Sequence, residues 1–142
     1  MLIQNWNTVI KPQDKVYHLG DVIMGQRSNY NRILYRLNGH LRLCLGNHDD
    51  IKSRELYERF EKIEIWRIFK DHGFVCSHIP IVKEQFRHKV VLNLHGHLHN
   101  PIVLDEKGKP DLHYKNVCVE HTALKPIHLD EIKQIIKDRG LK

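Results

Sequence analysis

Asp, Asn and His stand at the ends of four separate apolar runs, and this limits the fold more than any other feature of the chain. Val16 to Leu19 runs into Gly20-Asp21, and Leu41 to Leu45 into Gly46-Asn47-His48-Asp49. Phe74 to Cys76 runs into Ser77-His78, and Val90 to Leu94 into His95-Gly96-His97-Leu98-His99. Runs this short, rich in Val and Leu and bounded by glycine or polar residues, read as strands. A chain built this way delivers metal-ligating residue types at several strand ends at once.

Between the runs the apolar spacing becomes helical. Leu2, Ile3, Trp6, Val9 and Ile10 predict a helix closed by Lys11-Pro12, with no capping residue before its first apolar position. Ser28 is placed to cap a helix carrying Tyr30, Ile33, Leu34 and Leu37, with Gly39 as its stop. Ile51 to Phe60 reads as a helix, and Ile63 to Phe69 with Gly73 to Cys76 as a hairpin around Asp71-His72-Gly73. Glu106 to Pro110 reads as a turn, Tyr114 to Val119 as a late strand, and Ile132, Ile135 and Ile136 as a last helix stopped by Gly140. The order is that of an α/β protein whose sheets are covered by helices, in one domain over residues 1–142.

Composition narrows the class. With 41% hydrophobic and 28% charged residues the chain is globular, and no apolar run is long enough to span a membrane. Met1 to Trp6 lacks the basic-then-apolar pattern of a secretory signal, so a cytoplasmic location is expected. The net charge of +6 favours anionic partners. Much of it lies in Lys107, Lys109, Lys133, Lys137, Arg139 and Lys142, which also read as a solvated loop and helix face. Cys44, Cys76 and Cys118 are an odd number without CxxC spacing, which argues against a disulfide framework and a structural zinc knuckle. Buried free thiols are expected.

Each polar group has a plain reading and a chemical one. Alone, Asp21 is a turn residue capping the next helix; beside glycine at a strand end, its carboxylate can approach and bridge cations. Gly46-Asn47-His48-Asp49 can be a loop of Asx turns. Equally, Asn47 can offer a carbonyl oxygen to a metal, His48 can reach a substrate, and Asp49 can hold the His48 ring through its N–H. A lone His78 would be an ordinary core or surface histidine. His97 and His99 flank Leu98, and in an extended segment residues i and i+2 face the same way. His95 shares that alternation as a core or supporting residue.

Together, Gly20-Asp21 with Gly25, Gly46-Asn47-His48-Asp49, His78 and Gly96-His97-Leu98-His99 resemble the calcineurin-like metallophosphoesterases, in particular the small bacterial and phage members. The likeness runs from about Asn5 to Asp130 and includes Trp6-Asn7, Tyr17-His18-Leu19 and Lys125-Pro126. It implies two mixed β-sheets packed face to face and flanked by helices. It implies that Asp21 bridges two metals, that Asn47, His78 and His97 complete one, and that His99 binds the other. His48, oriented by Asp49, would be the general acid. The metals would lie about 3.5–4 Å apart and activate a hydroxide for in-line attack on phosphorus. Mixed oxygen and nitrogen ligands suit Mn, Fe, Co, Ni or Zn. The implied partner is a phosphoester, with nucleotides and nucleic acid among the candidates.

The family's first motif, Asp-x-His on the first strand, has no counterpart before Asp21. Asp111-Leu112-His113 has the pattern but follows a turn at the far end of the chain, where it reads as coincidence. One metal site is therefore complete on paper, and the other keeps Asp21 and His99, with His18 a remote substitute. The expectation is a domain shortened at its N-terminus and lacking the first strand. A late start codon, a degenerate gene or completion by a partner chain would each account for it, and an unpaired sheet edge would favour a homodimer. Three functions follow: a metal-dependent phosphoesterase, a catalytically inactive metal-binding or interaction domain on the same fold, and, on charge alone, a nucleic-acid-binding protein.

Overall fold

A computed structural model describes residues 1–26 and 29–142. The expected cap, Ser28, lies outside the described residues. Among the described residues are four α-helices and seven strands, the strands forming two sheets. The first sheet has the order β1 (Lys15–His18), β2 (His40–Cys44), β3 (Phe60–Glu64), all parallel. The second has the order β4 (Trp66–Phe69), β5 (Phe74–Ser77), β6 (Leu92–His95), β7 (Tyr114–Asn116), antiparallel between β4 and β5 and parallel thereafter. The α/β class is as expected. The expectation of two mixed sheets is corrected, because only the second is mixed.

The first sheet is parallel because helical crossovers connect its strands, as parallel pairing requires. α2 (Asn29–Leu34) joins β1 to β2, and α3 (Arg54–Arg59) joins β2 to β3. Tyr30, Leu34 and Leu56 from these helices are buried with Val16, Leu41, Leu43 and Phe60 in one core cluster. Arg59 binds the two helices together, donating to the carbonyls of Leu34 (3.0 Å) and Leu37 (2.6 Å). α1 (Leu2–Val9) docks through Trp6, whose ring N–H donates to the Asn38 carbonyl at 2.9 Å.

A second cluster gathers Cys44 from the first sheet with Phe74, Cys76, Leu92 and Leu94 from the second and Ile132 from α4 (Leu129–Asp138). The Tyr17 and Phe69 rings meet edge-on at 4.9 Å, a further contact between the two sheets. Cys44 and Cys76 are buried free thiols as expected, whereas Cys118 is half-buried beyond the end of β7. Arg139 departs from the solvated-face reading: its guanidinium donates to the Leu112 and Tyr114 carbonyls and ties the end of α4 to β7.

Several element boundaries differ from expectation, among them the start of α3 at Arg54 rather than Ile51, the end of α2 at Leu34 and the end of β7 at Asn116. The helix predicted to Phe60 stops at Arg59, and Phe60 opens β3. The run from Ile63 to Phe69 is not one hairpin arm: the chain leaves the first sheet after Glu64 and enters the second at Trp66. Periodicity cannot show that break, since a continuous apolar run looks the same in one strand as in two. Among the described residues no helix is long and apolar enough to cross a membrane.

Candidate metal centre

Four strands, β1, β2, β5 and β6, end at one place. β1 runs parallel to β2, and β5 parallel to β6, so within each pair the carboxyl ends lie together. The loops after them carry Asp21, Asn47 to Asp49, His78 and His97. This is the usual position for ligands in open parallel sheets, outside the carboxyl ends of the strands. The approach of the loops is close enough to demand glycine. A Cβ on Gly20 would lie 2.6 Å from both the Gly46 nitrogen and His78 Nδ1.

His78 is the centre of the cluster and is buried, with 4% of its surface exposed. Its Nδ1 lies 2.7 Å from the Leu19 carbonyl, which can only accept, so Nδ1 carries the proton. In the neutral ring Nε2 then holds a lone pair. That lone pair faces Asn47 Oδ1 at 2.8 Å, His97 Nδ1 at 3.1 Å and Asp21 Oδ2 at 3.3 Å. Ligand atoms of Asp21, His78 and His97 all lie within 4.8 Å of one another. A proton on Nε2 satisfies one of these neighbours; a cation among them satisfies all. The donor set, one carboxylate oxygen, one amide oxygen and two imidazoles, fits a first-row transition metal. Asn47 and His97 are solvent-exposed while His78 is buried, so the cluster opens to solvent on one side.

The backbone is strained where the ligands sit. Asp21 and His97 have φ of 51° and 66°, in the left-handed region that residues with a Cβ rarely adopt. Such conformations persist only where surrounding contacts fix them, and they concentrate at functional sites.

Two sequence expectations are corrected here. Asp49 does not hold the His48 ring. Its buried carboxylate accepts backbone N–H bonds from Val22 (2.8 Å), Asp21 (3.0 Å) and Gly46 (2.7 Å), so both oxygens are engaged. His48 is exposed and lines an open cavity of about 350 Å³ with Ile23, Met24, Gly25, Tyr30 and Asp50. His99 does not join His97. β6 ends at His95, and both following histidines lie in left-handed turns, His99 with φ of 50°, so the alternation of an extended strand does not apply. The His99 ring lies instead 3.1 Å from Glu120. The bond to its own backbone N–H and the His99 ring hold the Glu120 carboxyl below the usual range.

Two supporting groups, Asn116 and His121, were invisible in sequence, whereas His95 was read there as a core or supporting residue. Asn116 donates from its amide to the His99 and Pro101 carbonyls, fixing the loop after β6. His121 lies 2.6 Å from the His99 carbonyl. His95 is fully buried, with Nδ1 2.9 Å from the Gly96 carbonyl, and burial lowers its pKa. Asp111 and His113 are engaged elsewhere: Asp111 with Lys83 at 2.9 Å and His113 with the Val91 carbonyl at 2.8 Å.

The fold and site together define an α/β protein of two sheets with a His/Asp/Asn cluster at its strand ends. No model of a known protein family matches the chain. The uncharacterized protein MJ1445 of Methanocaldococcus jannaschii is 33% identical over 140 residues, covering 96% of this chain and 73% of its own length. The chain belongs to the family of that protein. It is also similar to the crystal structure of AQ665, a protein of unknown function from Aquifex aeolicus. The TM-score is 0.68 at 28% identity, over 95% of this chain and 83% of the other.

Proposed function

We propose that this chain is a metal-dependent phosphoesterase of the calcineurin-like type, with the metallophosphoesterase sandwich as its fold. The observation that carries the reading is the convergence of Asp21 Oδ2, Asn47 Oδ1 and His97 Nδ1 on Nε2 of His78. Three of these four residues come from motifs 26 or more positions apart in sequence, which local turn chemistry alone does not bring together.

Asp21, Asn47, His78 and His97 would hold the divalent cation. When bound, such a cation supplies Lewis acidity to a phosphoryl oxygen and to an attacking water. The chain's own residues do the rest. The Leu19 carbonyl holds the His78 tautomer, keeping Nε2 free to ligate. Asp21 divides its carboxylate: Oδ1 accepts the His48 backbone N–H at 2.9 Å and Oδ2 faces the cluster. That bond fixes the loop carrying His48, whose ring borders the cavity and would deliver a proton to a leaving oxygen. Loss of such a general acid typically costs about 10²–10⁴ in rate.

The test is hydrolysis of a bis-nitrophenyl phosphodiester with Mn²⁺, beside a His97→Ala variant. Turnover that vanishes in the variant is the expected result. Equal turnover in both assigns it to a contaminant, and none in folded, metal-loaded protein removes the enzymatic reading. A second reading, a metal-binding domain without catalysis, is favoured by one observation: four donors form one centre, while His99 faces Glu120. Metal stoichiometry separates the two. Two ions per chain support the phosphoesterase, and one ion without turnover supports the binding domain.

A further inference from the structure

Asp49 is the one carboxylate of the Gly46-Asn47-His48-Asp49 motif, and its oxygens are engaged by backbone N–H groups. It is 8% exposed, and its hydrogen bonds run between two loops. Oδ2 accepts from Asp21 N, in the loop after β1, and from Gly46 N, in the loop after β2. Oδ1 accepts from Val22 N. Asp21 answers in the opposite sense, its Oδ1 accepting from His48 N. The two carboxylates thus clasp the loops reciprocally, each holding the other's backbone.

The clasp has a consequence for Asp21. Its φ of 51° is unfavourable for a residue with a Cβ, and Asp49 binds the N–H groups on both sides of that strained α-carbon. With the backbone so fixed and Oδ1 spent on His48 N, only Oδ2 is left to face His78 and His97. We propose that Asp49 is a positioning residue, which locks Asp21 in its left-handed conformation and so presents a single carboxylate oxygen to the metal centre. The inference rests on the metal-site reading above and adds the device that aims its acidic ligand.

The experiment compares wild type, Asp49→Asn and Ile132→Ala. Asparagine keeps one acceptor but turns an NH₂ toward backbone N–H groups. Ile132 is a buried residue of α4 outside the loops, and its truncation controls for lost stability. Mn²⁺ affinity is read by paramagnetic resonance titration, and thermal midpoints are read alongside. Asp49→Asn is expected to weaken Mn²⁺ binding by about 10–100-fold, the usual effect of losing a group that orients a ligand. Ile132→Ala is expected to keep wild-type affinity at an equal or larger loss of thermal midpoint. Wild-type affinity in Asp49→Asn, or an equal loss in Ile132→Ala, overturns the proposal. Wild-type protein that binds no Mn²⁺ removes the metal-site reading, and amide exchange then decides the clasp. Faster exchange at Asp21, Val22 and Gly46 in Asp49→Asn, with distant amides unchanged, upholds it; unchanged rates overturn it. If Asp49→Asn does not fold, free-chain exchange at Asp21 and Val22 in wild type overturns it.

Discussion

At the scale of single residues, the site depends on side chains that are absent as much as on those present. Asp21 lies directly against Gly46, where any Cβ would press on its backbone nitrogen and its carboxylate. Both flanking segments are pinned by Asp49, so neither can yield. Gly46→Ala is expected to cost about 1–3 kcal/mol, the range for overpacking a tight site. It should also displace Asp21 from His78 and weaken metal binding. Thermal unfolding and Mn²⁺ titration together check this, and a variant with wild-type values in both would mean the loops separate freely. Glycine beside Asp21 was legible in the sequence as a place where the carboxylate can approach a cation closely. Which backbone approaches it was not, because Gly46 and Asp21 meet only once β1 and β2 are paired.

At the scale of elements, β6 carries the most connected polar residue of the second sheet. Asn93 is fully buried in mid-strand. Its amide oxygen accepts from Ile81 N at 2.8 Å, and its NH₂ donates to the Val75 carbonyl and to Ser77 Oγ. It therefore joins β6 to β5 and to the start of the loop after His78. Asn93→Ala leaves buried partners unsatisfied, at about 1–3 kcal/mol for each such group. Chemical denaturation should show a loss in that range or above. Exchange at the Ile81 amide should rise more than exchange elsewhere in the sheet. A loss near zero would mean that water replaces the amide. The run from Val90 to Leu94 reads in the sequence as an apolar strand, and nothing local to it gives the partners of Asn93. The same strand shows why His99 was misplaced. Alternation holds only while the chain stays extended, and the strand ends at His95, two residues before the first of the paired histidines.

At the scale of the whole molecule, burial of histidine couples stability to pH. Burial lowers the pKa of His18 from its usual 6.5, against the opposing pull of Asp49. Its Nδ1 is buried with no hydrogen-bond partner among the described residues, and its ring packs near Trp6 and Phe60. The unfolded chain takes up a proton at pH 6.5 and the folded chain resists it. Stability from this group is therefore full above pH 6.5 and is lost as pH falls through 6.5 toward the folded pKa. Denaturation midpoints measured from pH 8 to pH 5 should decline on the acid side, and His18→Phe should flatten that decline. Equal slopes in the two proteins would show that the His18 ring is solvated in the fold.

The chain by itself determined which apolar runs enter strands, that helices connect the first three strands, and which residue types follow the runs. Those properties are local: glycine, a short apolar run and a polar residue specify a strand and its exit within a few positions. Tertiary structure decided which of those residues meet. Asp21, Asn47, His78 and His97 share a centre because four carboxyl ends lie together. Asp49 turns to the backbone because Asp21 brings its N–H within reach. His99 leaves the centre because the strand has already ended. Pairing of strands distant in sequence fixes all three, and no local pattern carries that information.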